Sequence, residues 1–314
     1  NKQNPKNYLE KFINNFKFNL PNNLPKMSMM MAGYLGYDFI RYFEKIPDKN
    51  DDDLKIPDIK LIRPNFIYIH DNKLHKFFYI KINFNKNSSY DIELKNLKEQ
   101  LKKDLSIKKI NKTNFKIKKS NNNVRSNISK QKFIKIVNKA KKYIASGDIF
   151  QVVLSQRFEK NLGKNPLDIY KKIRLTNPSP FLYYFNFSNF QIIGSSPEIL
   201  VRIRDKKITI RPIAGTRKRG KNKIQDVRLA KSLLNDPKEL SEHLMLLDLG
   251  RNDVGKVAKI GSVNVTEKMI IEYYSHVMHI VSNVEGKLDL KFDAIDALIS
   301  GFPAGTVSGA PKIR

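Results

Sequence analysis

The chain contains no cysteine in 314 residues. Disulfides and thiolate metal sites are therefore excluded, and a reducing cytoplasm is the expected compartment. Long apolar runs are missing as well. None approaches the ~18–20 residues needed to span a membrane, and the apolar stretch from Met27 to Gly33 is short and bounded by Pro25. Acidic residues are few: 30 Asp and Glu stand against 59 Lys and Arg, a net charge of +29. Such a surplus ordinarily points to nucleic acid. Here, however, lysine is spread along the whole chain beside abundant Asn and Ile, as in 78–87 and 111–123. A/T-rich codons produce that composition without any ligand. There is no zinc-finger spacing, no RNP-type aromatic strand and no basic heptad, so nucleic acid is not the expected partner. A general attraction for anions is.

What is present is a globular composition, long enough for one large domain or two. The pattern changes along the chain. Residues 1–110 alternate strand-like runs (Asn65–His70, Phe77–Phe84) with Lys/Asp-rich turns, and Asn87–Leu105 reads as a polar helix. Gly33–Asp38 is a glycine–aromatic turn element. Residues 111–127 carry little apolar pattern and read as a loop, which gives an N-terminal region over 1–127 and a second domain over 128–314. The first residue is Asn1, no signal peptide is visible, and Gly309–Arg314 reads as the start of a helix. The chain is expected to be an internal fragment of something longer.

From Ser129 onward the periodicity is clean. Ser129 caps a helix with Phe133, Ile136, Val137, Ala140 and Ile144 on one face and Gly147 as its stop. Ile149–Ser155 reads as a buried strand. A short helix over Leu167–Leu175 ends at Asn177-Pro178-Ser179-Pro180. Strands are expected at Phe181–Phe187, Gln191–Ile193, Leu200–Ile203, Lys207–Arg211, Ser262–Tyr274 and His276–Val284, and a helix at Phe292–Ile299. Long strands with helices inserted singly indicate an α+β fold with mostly antiparallel sheets.

One helix start carries chemistry. Asp236 is a good N-cap, Pro237 suits the first helical position, and Glu239 at N3 would complete a capping box. Glu239 and Glu242, three residues apart, share a face. Paired carboxylates suit a hard cation such as Mg²⁺ bridging to an anionic substrate. On this octet alone they are equally the acids of a capped surface helix, placed where the dipole favours them.

The surrounding segments decide. Lys139–Phe158, Asn177–Pro180, Gly194–Glu198, Arg211–Gly220, Lys238–Gly255, Tyr274–Val284 and Phe302–Arg314 together resemble the chorismate-utilising enzymes. Among these, the anthranilate synthase component I family is the most similar. The segments fall in the family's order and spacing over about residues 128–314, which no single glycine motif could match. The resemblance implies two stacked, mostly antiparallel sheets flanked by helices, with the active site between them, and residues 128–314 as the chorismate-binding catalytic domain. It implies Mg²⁺ held by Glu242 with Glu239 in support, and Glu198 as the general acid that protonates the departing C4 hydroxyl. It assigns His279 to proton removal as pyruvate leaves, and Gly215, Thr216 and Thr306 to substrate contact. Taken singly, Glu198 reads as an exposed strand-start acid, His279 as a satisfied core histidine, and the glycines as turns. Strand parity puts His276 and His279 on opposite faces, so at most one of them points into a given site.

Two positions sort the activities within the resemblance. Relatives that add water carry a lysine where this chain has Gln151, and those making aminodeoxychorismate commonly carry one where it has Ala214. A lysine of lowered pKa can activate water or attack directly; Gln151 and Ala214 do neither. Ammonia is then the implied nucleophile, and anthranilate the product. Aminodeoxychorismate synthase is the alternative, since its lysine is not universal. Without cysteine there is no glutaminase site, so a glutamine amidotransferase subunit is the implied ammonia source. Tryptophan is a further implied ligand, an inhibitor at Asn177, Pro178, Pro180, Phe181 and Leu182. The resemblance places a second pair of metal-binding glutamates beyond Arg314, and the chain by itself is expected not to turn over chorismate.

Overall fold

Two units make up the chain, Asn1–Asn121 and Asn122–Arg314. The computed structural model describes residues 5–84, 89–106, 124–163 and 165–313. Residues 111–123 of the expected loop, Asn87 and Ser88 of the expected helix, and Arg314 lie outside the described residues.

In the first unit a helix α1 (Pro5–Asn15) precedes strand β1 (Ala32–Leu35), which pairs antiparallel with β2 (Ile59–Ile62). The expected Gly33–Asp38 turn is therefore half strand. Glycine is required at 33 because a side chain there would strike the Lys60 carbonyl of the partner strand. β3 (Phe66–Asp71) and β4 (Lys76–Lys81) form a hairpin closed by Asp71, whose Oδ1 accepts the Lys73 and Leu74 amides at 2.9 Å each. Strand β4 stops at Lys81, short of the expected Phe84, because its partner ends at Phe66. Helix α2 (Tyr90–Ser106) sets Asp104 against the hydroxyls of the cross-strand pair Tyr68 and Tyr79.

The second unit runs β5 (Arg125–Ser126), α3 (Lys130–Ala145), β6 (Gln151–Val152), β7 (Phe158–Glu159), α4 (Pro166–Thr176), β8 (Phe181–Asn186), β9 (Gln191–Ser196), β10 (Arg202–Arg204), β11 (Lys207–Ile210) and β12 (Ile213–Lys218). It continues through α5 (Lys223–Leu234), α6 (Pro237–Gly255), β13 (Asn264–Tyr273), β14 (Val277–Lys287), α7 (Ala294–Gly301), α8 (Gly305–Ser308) and β15 (Gly309–Ala310). The fold is α+β, and every strand pair among the described residues is antiparallel.

β14 is the centre of this unit. β13 lies along one edge, while β11 and β12 follow one another along the other, so β14 is paired on both sides. Met278, Ile280, Val281 and Val284 are fully buried, and so is Ser282. A strand covered on both faces reads as a near-continuous apolar run, which is why alternation is weak here. One core joins Ile208, Ile210 and Val284 of the sheet to Leu247 and Val254 of α6 and Ala297 of α7. A second sets Ala230 and Leu233 of α5 against Met278 and Ile280. Each of the Leu, Ile, Val and Met side chains contributes about 1.5–3 kcal/mol through burial. Helix α6 is thereby fixed across the sheet, and the chemistry it carries is fixed with it.

Local signals locate several elements well. Ser129 accepts the Lys132 amide at 3.2 Å as the cap of α3, and Asn165 caps α4. Other elements depart from expectation. The segment 149–155 is not a buried strand: only Gln151 and Val152 pair, with β15, while Phe150 is 76% and Val153 41% exposed. Helix α5 and strand β12 have no counterpart in the sequence reading. α5 turns Asp226 inward, where Arg219 and the Gly220 amide bind it, so the apolar stripe is interrupted. Helix α7 starts at Ala294, two residues after the expected Phe292, because Asp293 and Asp296 form a full capping box there. His276 lies outside β14, in the turn closed by the Tyr274 amide on the Val277 carbonyl, so strand parity does not apply to it. Its ring binds the Thr176 carbonyl instead.

Candidate active site

The expected site residues gather around the sheet's central strand and the start of α6. Asp236 caps that helix as expected, accepting the Lys238 and Glu239 amides at 3.1 and 3.3 Å. The capping box does not form. The Asp236 amide is already donated to the Leu233 carbonyl, so Glu239 has no reason to fold back. Its carboxylate accepts instead from Arg217 Nη1 at 3.4 Å, while Nη2 of the same guanidinium binds Asp236 at 2.7 Å. Glu242, one turn on, accepts from Gln151 Nε2 at 3.1 Å. Gln151 Oε1 is buried with no hydrogen-bond partner. The next residue, His243, is fully buried and bonded through Nε2 to Ser282 Oγ at 2.7 Å, which ties this turn of the helix to β14.

Gly215 explains how the helix and the sheet approach so closely. The pairing of β12 with β14 shifts between Ala214 and Thr216, and Gly215 occupies the irregularity at φ +76°. A side chain there would be strained by its backbone, and its Cβ would sit 3.3 Å from Glu239 Oε2. The irregularity turns the Gly215 carbonyl toward His279, whose Nδ1 lies 3.3 Å from that oxygen and 3.0 Å from Thr216 Oγ1. A carbonyl can only accept, which favours the tautomer with the proton on Nδ1 and the lone pair on Nε2. Ala214 is buried in β12 opposite Ile280.

Glu198 approaches from the β8–β9 hairpin. β9 ends at Ser196, whose hydroxyl accepts the Glu198 amide at 3.2 Å and sets the turn through Pro197. Thr306, at the start of α8, donates to Glu198 Oε1 at 3.0 Å. The segment carrying Thr306 is held by the β15–β6 pairing and by Lys312, which binds Asp253 of α6 at 2.8 Å. Burial pushes the Glu198 carboxyl above its ordinary range, and the Thr306 hydroxyl only partly opposes this. A cavity of about 210 Å³ opens beside it, lined by Arg211, Leu246, Asp253 and Thr306 among others.

Several groups here were not singled out in the sequence. Arg211 binds Glu272 at 2.6 Å and Glu267 at 3.1 Å, and Tyr274 donates its hydroxyl to Glu272 at 2.7 Å. Arg211 and Tyr274 open two of the recognisable segments. Glu272 stands two residues before Tyr274, a same-face spacing on a strand that could have flagged it.

The stretch from Asn177 to Leu182 is not part of this cluster. Asn177 ends α4, its carbonyl accepting from Ser195 Oγ at 2.7 Å, and Phe181 and Leu182 begin β8 opposite Ser196 and Ser195. Asn177, Pro178, Pro180 and Phe181 are exposed.

Among the described residues no group of three or more His, Cys, Asp or Glu is placed to hold a metal. The donors that are present nevertheless fit Mg²⁺. Two carboxylates and an amide oxygen without a donor are hard oxygen ligands, and Mg²⁺ commonly takes only one or two from the protein. No helix among the described residues is long and apolar enough to cross a membrane.

Anthranilate synthase component 1 of Cereibacter sphaeroides is 46% identical over 315 residues, which cover 99% of this chain and 63% of that protein. Its counterpart in Aquifex aeolicus is 49% identical over 295 residues, 93% of this chain and 60% of that protein. The crystal structure of anthranilate synthase component I from Streptococcus pneumoniae superposes with a TM-score of 0.87 at 37% identity, covering 100% of this chain and 69% of that one. The chain thus spans about three-fifths of the length of these curated relatives. The family described as chorismate binding enzyme matches residues 2–314, and the chain belongs to that family.

Proposed function

We propose that this chain forms part of the large subunit of an anthranilate synthase, which aminates chorismate at C2 with ammonia and then eliminates pyruvate. The observation that carries the reading is Glu198. A partly buried carboxyl, raised above its ordinary range and oriented by Thr306, keeps its proton long enough to give it to the departing C4 hydroxyl. Glu242 and Glu239, with Gln151 Oε1, would hold Mg²⁺. When bound, the ion supplies Lewis-acid stabilisation at the ring carboxylate. Gln151 has no amine with which to activate water, and its amide N–H is already directed at Glu242. That favours ammonia as the nucleophile. His279, with Nδ1–H turned to the Gly215 carbonyl, presents Nε2 as the base for the second half-reaction.

Ammonia is scarce at neutral pH, so a glutamine amidotransferase subunit is the partner this reading requires. Tryptophan is proposed as an inhibitor at Asn177, Pro178, Pro180, Phe181 and Leu182, an exposed stretch that leads into the strand paired with the approach to Glu198. The test uses a polypeptide of the relatives' full length that contains this chain, given chorismate, Mg²⁺ and ammonium. Anthranilate fluorescence is the expected result. Formation of isochorismate or aminodeoxychorismate without anthranilate would refute the reading.

A further inference from the structure

We propose that Glu272 is a positioning residue for His279 and serves the elimination half-reaction, not the amination. The inference rests on the anthranilate-forming reading above.

Register places the two side chains together. His279 of β14 stands opposite Thr216 on one edge and opposite Glu272 of β13 on the other. Residues directly opposite in an antiparallel pair project to the same face. Thr216 and the Gly215 carbonyl engage Nδ1 of the imidazole, so one side of the ring is accounted for by hydrogen bonds. Tyr274 covers another, its ring meeting the His279 ring edge-on at 5.3 Å and 65°. Tyr274 is itself pinned, because its hydroxyl is given to Glu272. Glu272 therefore determines where the Tyr274 ring stands, and that ring bounds the space in which His279 can turn.

Charge points the same way. Arg211 Nη2 binds both Glu272 and Glu267, so among these three groups two carboxylates share one guanidinium and a net negative charge remains. Burial pushes the Glu272 carboxyl upward, yet the Tyr274 hydroxyl, the Arg211 guanidinium and His279 together hold it below the ordinary carboxylate range. Tyr274 stays neutral: burial and the Glu272 bond raise its phenol, and the Glu198 carboxylate adds to the effect. The anion beside His279 is thus permanent at neutral pH.

That anion matters when the imidazole gains a proton. In the elimination, His279 takes the proton from C2, and the C–H electron pair becomes the C2–C3 double bond only as the C3–O bond gives way. The C3–O electron pair leaves with the oxygen, and the pyruvate enolate departs and is protonated by solvent. Amination places no charge on His279. A nearby carboxylate stabilises the imidazolium and leaves the first step nearly untouched. A purely structural staple, joining β13 to Arg211 after β11, would instead affect both steps alike.

The experiment separates chorismate, the aminated intermediate and anthranilate by chromatography after rapid quenching, using the full-length polypeptide with Mg²⁺ and ammonium. Glu272→Gln is expected to slow anthranilate formation about tenfold while chorismate consumption stays within about threefold, so the intermediate accumulates. Tyr274→Phe keeps the ring and loses the bond to Glu272. It should show the same partition more weakly, and it carries the test where Glu272→Gln does not fold. Parallel loss of both steps, or no change in either, overturns the inference. A wild-type protein that forms no anthranilate overturns the functional reading and this inference together, whereas normal partitioning in both variants overturns this inference alone.

Discussion

Two strands bring residues to the candidate site under opposite conditions. β14 is hydrogen-bonded along both edges and buried on both faces, and it carries His279. β6 is two residues long, pairs only with β15 among the described strands, has exposed apolar neighbours, and carries Gln151. Both side chains are nonetheless held by specific polar contacts. The position of His279 follows from the sheet's register, while that of Gln151 depends largely on its bond to Glu242. A site can therefore combine a side chain set by the frame with a neighbour set by its own contacts.

Activity should show the largest difference. In a full-length polypeptide, His279→Met should cut anthranilate formation by about 10²–10⁴-fold, the range expected for loss of a general base, with amination retained. Glu242→Ala should abolish Mg²⁺-dependent turnover and weaken Mg²⁺ binding measured by titration calorimetry. Normal anthranilate yield from His279→Met would remove the role assigned to it.

Stability should separate the strands next. Ile280→Ala in β14 is expected to cost about 2–5 kcal/mol by urea denaturation. Val152→Ala in β6, on a partly exposed side chain, should cost less than about 1 kcal/mol. Equal losses would show that β6 is as well packed as β14. Between these, Gly215→Ala should cost about 1–3 kcal/mol, because the backbone there is left-handed. It should also weaken Mg²⁺ binding, since the new methyl meets Glu239.

The smallest effect is a pH dependence. Glu198 has a folded-state pKa raised by burial, so folding favours its protonated form. The stability this contributes is fully present below the unfolded carboxyl pKa and is lost as pH rises through the folded value. Glu198→Gln should therefore be more stable than wild type near pH 8, and that advantage should fade as pH falls toward 4. Denaturation midpoints across that range would show it, and an unchanged difference would contradict the burial argument.

How much of this was legible beforehand depended on how local each cause is. The Asp236 cap and the Ser129 helix start are decided within three residues, and they stand as expected. The capping box at Glu239 fails because of Leu233, whose carbonyl takes the amide it needed. Helix α5 was hidden because its inward acid needs Arg219, seven residues earlier. Glu198 and His279 were nameable only through resemblance to a family. Composition and period say nothing of a raised carboxyl or an oriented ring. The contacts of Glu272 were the least visible, since register between β13 and β14 is a property of the assembled sheet, and two irregularities shift it along the way.

The doubly paired strand has a kinetic consequence. Each amide of β14 points to one neighbour or the other, so exchanging it with solvent requires separating β13 or the β11–β12 edge from a buried core. Deuterium should therefore enter the backbone around His279 last in the second unit. Glu198 lies past a strand end, beyond a proline, on a turn held by one serine hydroxyl. The proposed proton donor thus rests on a short turn past a strand end, and the proposed proton acceptor on backbone that opens only with the whole sheet.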